Sequence, residues 1–214
     1  MDELELLKRD WKKREDQMPK LGFDEIYKMI WKRSSSIVKW IFLISILEFL
    51  LPHLLYLLPS MSKNLAVWRD LGLGNFLLIS TIIQYSVVLF FIFQFYKRYK
   101  EISSMDNARQ LLSNILKTRK TVKYYVLFCL SLIFISFLVM AAGIYLNDDP
   151  ISAMGYKYNL DNVDPAKLKT TMMATVLILG VIVTTVMGCI YFLLYGILLK
   201  KLNKNYKELK EMEF

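Results

Sequence analysis

A single carboxylate, Glu48, stands near the middle of the apolar run IVKWIFLISILEFLLPHLLYLL, residues 37–58. At the centre of a bilayer a charged side chain costs at least about 2.5 kcal/mol, so such a group is paired, protonated or functional. At the same expected depth in three further apolar runs stand Gln84 and Tyr85, Ser131 and Ser136, and Thr184 and Thr185. A protonated Glu48 bonded to Gln84 or to a hydroxyl would satisfy both groups and help lock the helices together. The expected intramembrane polar cluster is therefore Glu48, Gln84, Tyr85, Ser136 and Thr184. Lys39 at the membrane edge and His53 near the outer end aside, no second intramembrane acid or base offers a relay, which favours this structural role over a proton- or ion-coupled pathway. A ligand held between the helices is the remaining alternative.

Other chemistry is sparsely represented. The chain has one histidine, His53, beside Pro52, and two cysteines, Cys129 and Cys189, inside the third and fourth runs. The cysteines read as small buried apolar residues, and a His-rich metal site cannot be assembled from this set. The acids of NDDPISAMGYKYNLDNVD lack the spacing, glycine and terminal glutamate of a calcium loop. No glycine-rich phosphate loop or nucleophile elbow is present. No catalytic residue, no cofactor and no metal ligand is expected.

The elements that must position Glu48 are the apolar runs themselves. The 214 residues are 55% hydrophobic, and that content falls into four blocks, 37–58, 76–95, 124–146 and 172–199. Each has roughly the 20 apolar residues needed to cross about 30 Å of hydrocarbon. The expected fold is an all-α integral membrane protein, a four-transmembrane-helix bundle. In the fourth block Gly180, Thr184 and Gly188 recur every four residues, a small-residue stripe that lets a neighbouring backbone approach closely. Packing inside the bundle is favoured over a homo-oligomer.

Lysines and arginines sort the connecting segments. Residues 1–36 carry nine, the loop 97–123 carries eight, and the tail 200–214 carries five. The loop 59–75 has Lys63 and Arg69 alone, and the loop 147–171 sets three bases against four aspartates. Both termini and the middle loop are expected in the cytoplasm, with 59–75 and 147–171 outside a bacterial inner membrane. This sorting also accounts for the net charge of +9: attraction to membrane lipids explains the bases, and direct nucleic-acid binding is not expected. No secretory leader is expected ahead of the first run.

The cytoplasmic parts carry helical patterns. Leu4, Leu7, Trp11 and Met18 share one side of the first segment, and Phe23, Ile26, Tyr27, Ile30 and Trp31 repeat the pattern after PKLG. The second of these amphipathic N-terminal helices (1–36) suits the headgroup level before the chain turns into the first span. Ile102, Met105, Leu112, Ile115 and Leu116 recur at helical spacing in the middle loop, so the third span begins as a cytoplasmic helix. The fourth starts at Asp164 and Pro165, an N-cap and first-turn pair, and extends into the tail. There Leu198, Leu202, Leu209 and Met212 form a coiled-coil-like seam with Asn205 at a seam position. Such seams on one side of a membrane are expected to close into a small helical bundle. Leu4, Leu7, Trp11, Leu202 and Leu209 are the candidate contacts for a protein partner.

Three stretches, MDELELLKRDWKKRE, DEIYKMIWKRSSSIVKWIFLISILEFL and YFLLYGILLKKLNKNYKELKEME, resemble a family of small membrane proteins from flavobacteria and their Bacteroidota relatives. Some relatives are labelled carotene-cleaving oxygenases. That label implies a seven-bladed propeller with four iron-binding histidines, which one histidine and no strand pattern contradict. The layout also resembles membrane partners of alternative sigma factors, which implies a sigma factor as the cytoplasmic partner, although no anti-sigma motif is visible.

The function expected from these features is that of a non-enzymatic regulatory or scaffold protein holding a cytoplasmic partner at the membrane. The alternatives are a transporter or channel subunit or a pore-forming effector using Glu48, and a membrane enzyme acting on lipid or isoprenoid. The charge sorting predicts that cysteine probes at Ser60 and Ser152 react with an impermeant label from outside, whereas probes at Ser35, Ser113 and the C-terminus do not. Outside labelling of the C-terminus would reverse the orientation.

Overall fold

The computed structural model describes residues 22–56, 66–104, 107–153 and 164–212, together with residues 5, 8 and 9. The elements among the described residues are all helical. Helix α1 spans Phe23–Tyr56, α2 Gly74–Ser103, α3 Ala108–Leu146, α4 Pro150–Ala153 and α5 Pro165–Tyr191. A π turn, Phe192–Gly196, joins α5 to α6, Ile197–Met212, and a short helical segment at 66–70 precedes α2. Among the described residues four helices are long and apolar enough to cross a membrane, as in a multi-pass membrane protein. Large side chains such as Leu47, Ile82, Leu127 and Ile178 stand exposed around them, as lipid-facing positions should.

One expectation is corrected in α1. The segment from Phe23 does not lie flat and then turn; it continues unbroken through the first span for 34 residues. At 1.5 Å per residue that is about 51 Å, well beyond the roughly 30 Å of hydrocarbon. The physical reason is local: no glycine or proline occurs between Phe23 and Leu51, and Ser34 is buried rather than helix-breaking. Gly22 marks the start, where the Glu25 carboxylate reaches back to its backbone N–H at 3.1 Å. The middle loop is likewise mostly helix. Residues to Ser103 continue α2, and α3 begins at Ala108, capped by the Asn107 side chain, which accepts from the Arg109 N–H at 3.0 Å.

At the basic end the overhanging helices close on one another. Ile30, Ile102, Leu111, Ile115, Leu202 and Leu209 are buried in one core. The end of α2 leaves backbone carbonyls without intrahelical partners, and the Trp31 indole N–H satisfies that of Ile102 at 2.6 Å. The Ser35 and Ser103 hydroxyls meet at 2.9 Å, and Arg119 donates to the Asn203 side chain at 2.7 Å. The Asn205 amide, buried on α6, donates to the buried Ser34 hydroxyl of α1 at 3.0 Å. This has a consequence for the seam: Leu202 and Leu209, expected to face a partner, give their apolar surface to this chain's own helices.

At the opposite end, a glycine-capped helix stop sets up α2. Gly72 has φ +78°, and the N–H groups of Gly72 and Leu73 bond the carbonyls of Arg69 and Trp68. Leu71, Ile144 and Ala153 form a second, smaller core there. Asp164 caps α5 through the Ala166 N–H at 3.0 Å, with Pro165 in the first turn as the sequence suggests. Bonds from the Ser152 hydroxyl and backbone hold the Asp149 carboxyl below its ordinary range.

The stripe on α5 lies against α3, but its members differ. A Cβ at Gly180 would stand 2.7 Å from the Phe137 Cβ, whereas one at Gly188 would meet Leu130 at 3.8 Å. Gly180→Ala is therefore expected to force α3 and α5 apart and destabilise by about 1–3 kcal/mol. Gly188→Ala should be neutral or stabilising by about 0.5 kcal/mol, because alanine suits a helix interior better than glycine. Thermal unfolding of both variants in the same detergent checks the contrast; equal losses would show that the stripe is not gripped at Gly180.

Candidate functional site

Glu48 faces inward because of its place on α1. Val38, Ile41 and Ser45 precede it at spacings of three and four, and all three are fully buried. The next inward position on that face carries the carboxylate. Across from it, Tyr191 closes α5 and Tyr195 lies within the π turn, both buried. Both phenols donate to Glu48: Tyr191 to one carboxylate oxygen, and Tyr195 to the other at 2.9 Å. Each such bond contributes about 0.5–1.5 kcal/mol net to a neutral acceptor and roughly 1.5–3 kcal/mol to a charged one, so the two phenols satisfy the carboxyl group from within the protein. Single π turns inside α-helices frequently sit at functional sites.

An aromatic cage surrounds this cluster. The buried Tyr125 ring of α3 meets those of Tyr191 and Tyr195 edge-on, with centroids 6.4 and 5.9 Å away. Phe91 and Phe95 of α2 approach Tyr125 in the same manner at 5.4 and 5.6 Å. Edge-to-face pairs of this kind add about 0.5–1.5 kcal/mol beyond their burial. All four spans thus converge on one level, with Glu48 as its polar centre.

Beside the cluster lies a cavity of about 470 Å³ between α1, α2, α3 and α5. Glu48, Gln84, Tyr85 and Ser136, all singled out from the sequence, share its wall. The Ser136 hydroxyl is committed to the Leu132 carbonyl at 2.9 Å. Thr184 is not among the lining residues; its hydroxyl is buried on α5 without a hydrogen-bond partner among the described residues. Thr185 bonds its own helix at the Val181 carbonyl, and Ser131 is exposed. Glu48 takes its bonds from phenols rather than from Gln84, so the level of the fourth helix that faces Glu48 lies seven residues or more beyond Thr184.

Sequence reasoning missed Tyr125, Cys129, Tyr191 and Tyr195. The available signal was the pair of tyrosines four apart in YFLLY, which places both phenols on one helix face within an apolar segment. Cys129 lines the cavity half-buried, but Cys189 is exposed on the outer face of α5, which corrects its reading as a buried residue. Among the described residues no three His, Cys, Asp or Glu side chains gather as a metal site would need. Leu4, Leu7 and Trp11, and the side chain of His53, lie outside the described residues.

The chain belongs to the family described as Domain of unknown function (DUF8845), whose model matches residues 24–214. No curated protein and no solved structure matches it. The matched region runs from the second residue of α1 through α6 and includes every residue of the Glu48 cluster.

The cluster makes a thermodynamic prediction. Glu48→Leu removes both acceptors and leaves two buried phenols unsatisfied, so it should destabilise by about 2–4 kcal/mol. Tyr191→Phe alone should cost about 1 kcal/mol, and in the Glu48→Leu background clearly less, because the two act as one network. Glu48→Gln should keep the fold. Unfolding of the four variants in one detergent gives the coupling, and strict additivity would dissolve the network.

Proposed function

We propose that the protein is a non-enzymatic, multi-pass protein of the bacterial inner membrane that holds a cytoplasmic protein partner at its basic end as a regulatory scaffold. The observation that carries this reading is a groove of about 750 Å³ between α1 and α6. Its bases are Lys32, Arg33, Lys201 and Lys204, and its apolar surface includes the exposed Met29 and Trp40. Glu208 reaches Lys204 at 3.6 Å and Arg33 at 3.9 Å, but these are exposed pairs of little energetic weight. A positively charged groove with an apolar anchor point suits a partner segment that pairs an acidic face with a large apolar side chain.

The lysine and arginine sorting supports a cytoplasmic position for this end. Because Leu202 and Leu209 are used internally, the groove takes their place as the docking surface, and Leu4, Leu7 and Trp11 supply a second contact. One wall of the groove belongs to α6, which begins at the π turn carrying Tyr195. The Glu48 cluster and the groove therefore share a continuous element, through which a change at one bears on the other.

A photo-crosslinking residue at Lys201 tests the groove in intact cells. It should capture a protein, and Lys32→Glu with Arg33→Glu should abolish the adduct without loss of the membrane-inserted chain. Trp11→Ala with Leu7→Ala should weaken the same adduct. Crosslinks to phospholipid alone would overturn the scaffold reading and make the groove a headgroup site.

A further inference from the structure

The cavity beside Glu48 does more than house a structural hydrogen bond. We propose that it binds an amphipathic organic cation, an ammonium or related onium head on an apolar body. This inference goes beyond the scaffold role and does not depend on the groove.

Charge comes first. Glu48 is the sole Asp, Glu, Lys or Arg within residues 40–52, 76–94, 124–146 and 172–199. Its phenol partners supply hydrogen bonds but no opposite charge, so these segments hold no counter-ion for the carboxylate. A carboxylate has about four lone-pair sites, and one phenol on each oxygen leaves capacity on the side that faces the cavity. A cation entering there would favour the ionised carboxylate and offset the cost of its charge in a low-dielectric setting.

Shape and surface then select the kind of cation. A volume of about 470 Å³ lies in the range of small-molecule sites. Phe49, Tyr85 and Phe128 line it as half-buried aromatic residues of the kind that suit an onium head, and Ile133 and Phe137 add apolar wall for a body. A bare metal ion fits poorly, because calcium needs six to eight oxygens. Here Glu48 is the one Asp, Glu or His side chain among the lining residues, and most of the wall is apolar. An anion would be repelled, and a neutral ligand would leave the charge unanswered.

The purified full chain in detergent tests this with tetraphenylphosphonium and its similarly shaped anion, tetraphenylborate, measured by equilibrium dialysis against empty micelles. The expected result is saturable binding of the cation alone, weakened about tenfold or more by Glu48→Gln and unchanged by Gly188→Ala. Ile133→Trp, which fills the cavity from α3 and leaves Glu48 in place, should also weaken it. That variant keeps the test decisive if Glu48→Gln folds badly. Binding of tetraphenylborate to the same extent, retention of affinity in Glu48→Gln, or full affinity in Ile133→Trp would each overturn the proposal.

Discussion

The position of Glu48 constrains the rest of the bundle. A carboxylate inside an apolar span must be satisfied from within the protein, since lipid offers no donor. Its two donors come from the far end of the chain, Tyr191 and Tyr195, so satisfying it fixes α1 against the junction of α5 and α6. Once those phenols are drawn inward, their rings need packing partners, and Tyr125, Phe91 and Phe95 supply them from α2 and α3. One polar requirement thereby organises side chains from all four spans. Apolar burial alone could not do this, because one lipid-compatible helix face is much like another.

Continuity of the helices carries this order out of the membrane. α1 and α3 each run well past the hydrocarbon, and α5 passes through the π turn into α6. A rigid helix transmits the rotation fixed at Glu48 to residues several turns away, so the basic-end core receives Ile30, Leu202 and Leu209 already aimed inward. The polar contacts found there, Trp31 to Ile102 and Asn205 to Ser34, satisfy groups that helix ends and seam positions would otherwise strand.

The parts that were legible in the sequence are those governed by local physics. Run length located the helices, helical spacing set Ile115, Leu202 and Leu209 on apolar helix faces, and the Asp164–Pro165 pair marked a helix start. The illegible part was relative depth. Matching the midpoints of apolar runs set Thr184 opposite Glu48, but the fourth run merges into a longer helix and its midpoint has no fixed plane. Depth is a tertiary quantity, set by which side chains meet, and so the tyrosines of YFLLY outranked the threonines. The seam around Asn205 was legible as a seam but not as to its owner, since the same pattern serves another helix of the chain or another molecule.

The pairing of α1 with α5 and α6 has a regularity that explains how the register is held. Fourteen residues separate Ser34 from Glu48 along α1, and fourteen separate Tyr191 from Asn205 on the antiparallel partner. Two polar clamps therefore stand about 21 Å apart on each helix at 1.5 Å per residue, with apolar residues such as Val38, Ile41 and Leu198 between them. A slip of one turn would keep most of the apolar contacts, which are interchangeable. It would break both clamps at once, stranding a carboxylate at one end and a buried amide at the other. The apolar seam supplies attraction without choosing an alignment; the two clamps choose it, and they do so at the two places, membrane interior and basic end, where the proposed ligand and partner would act.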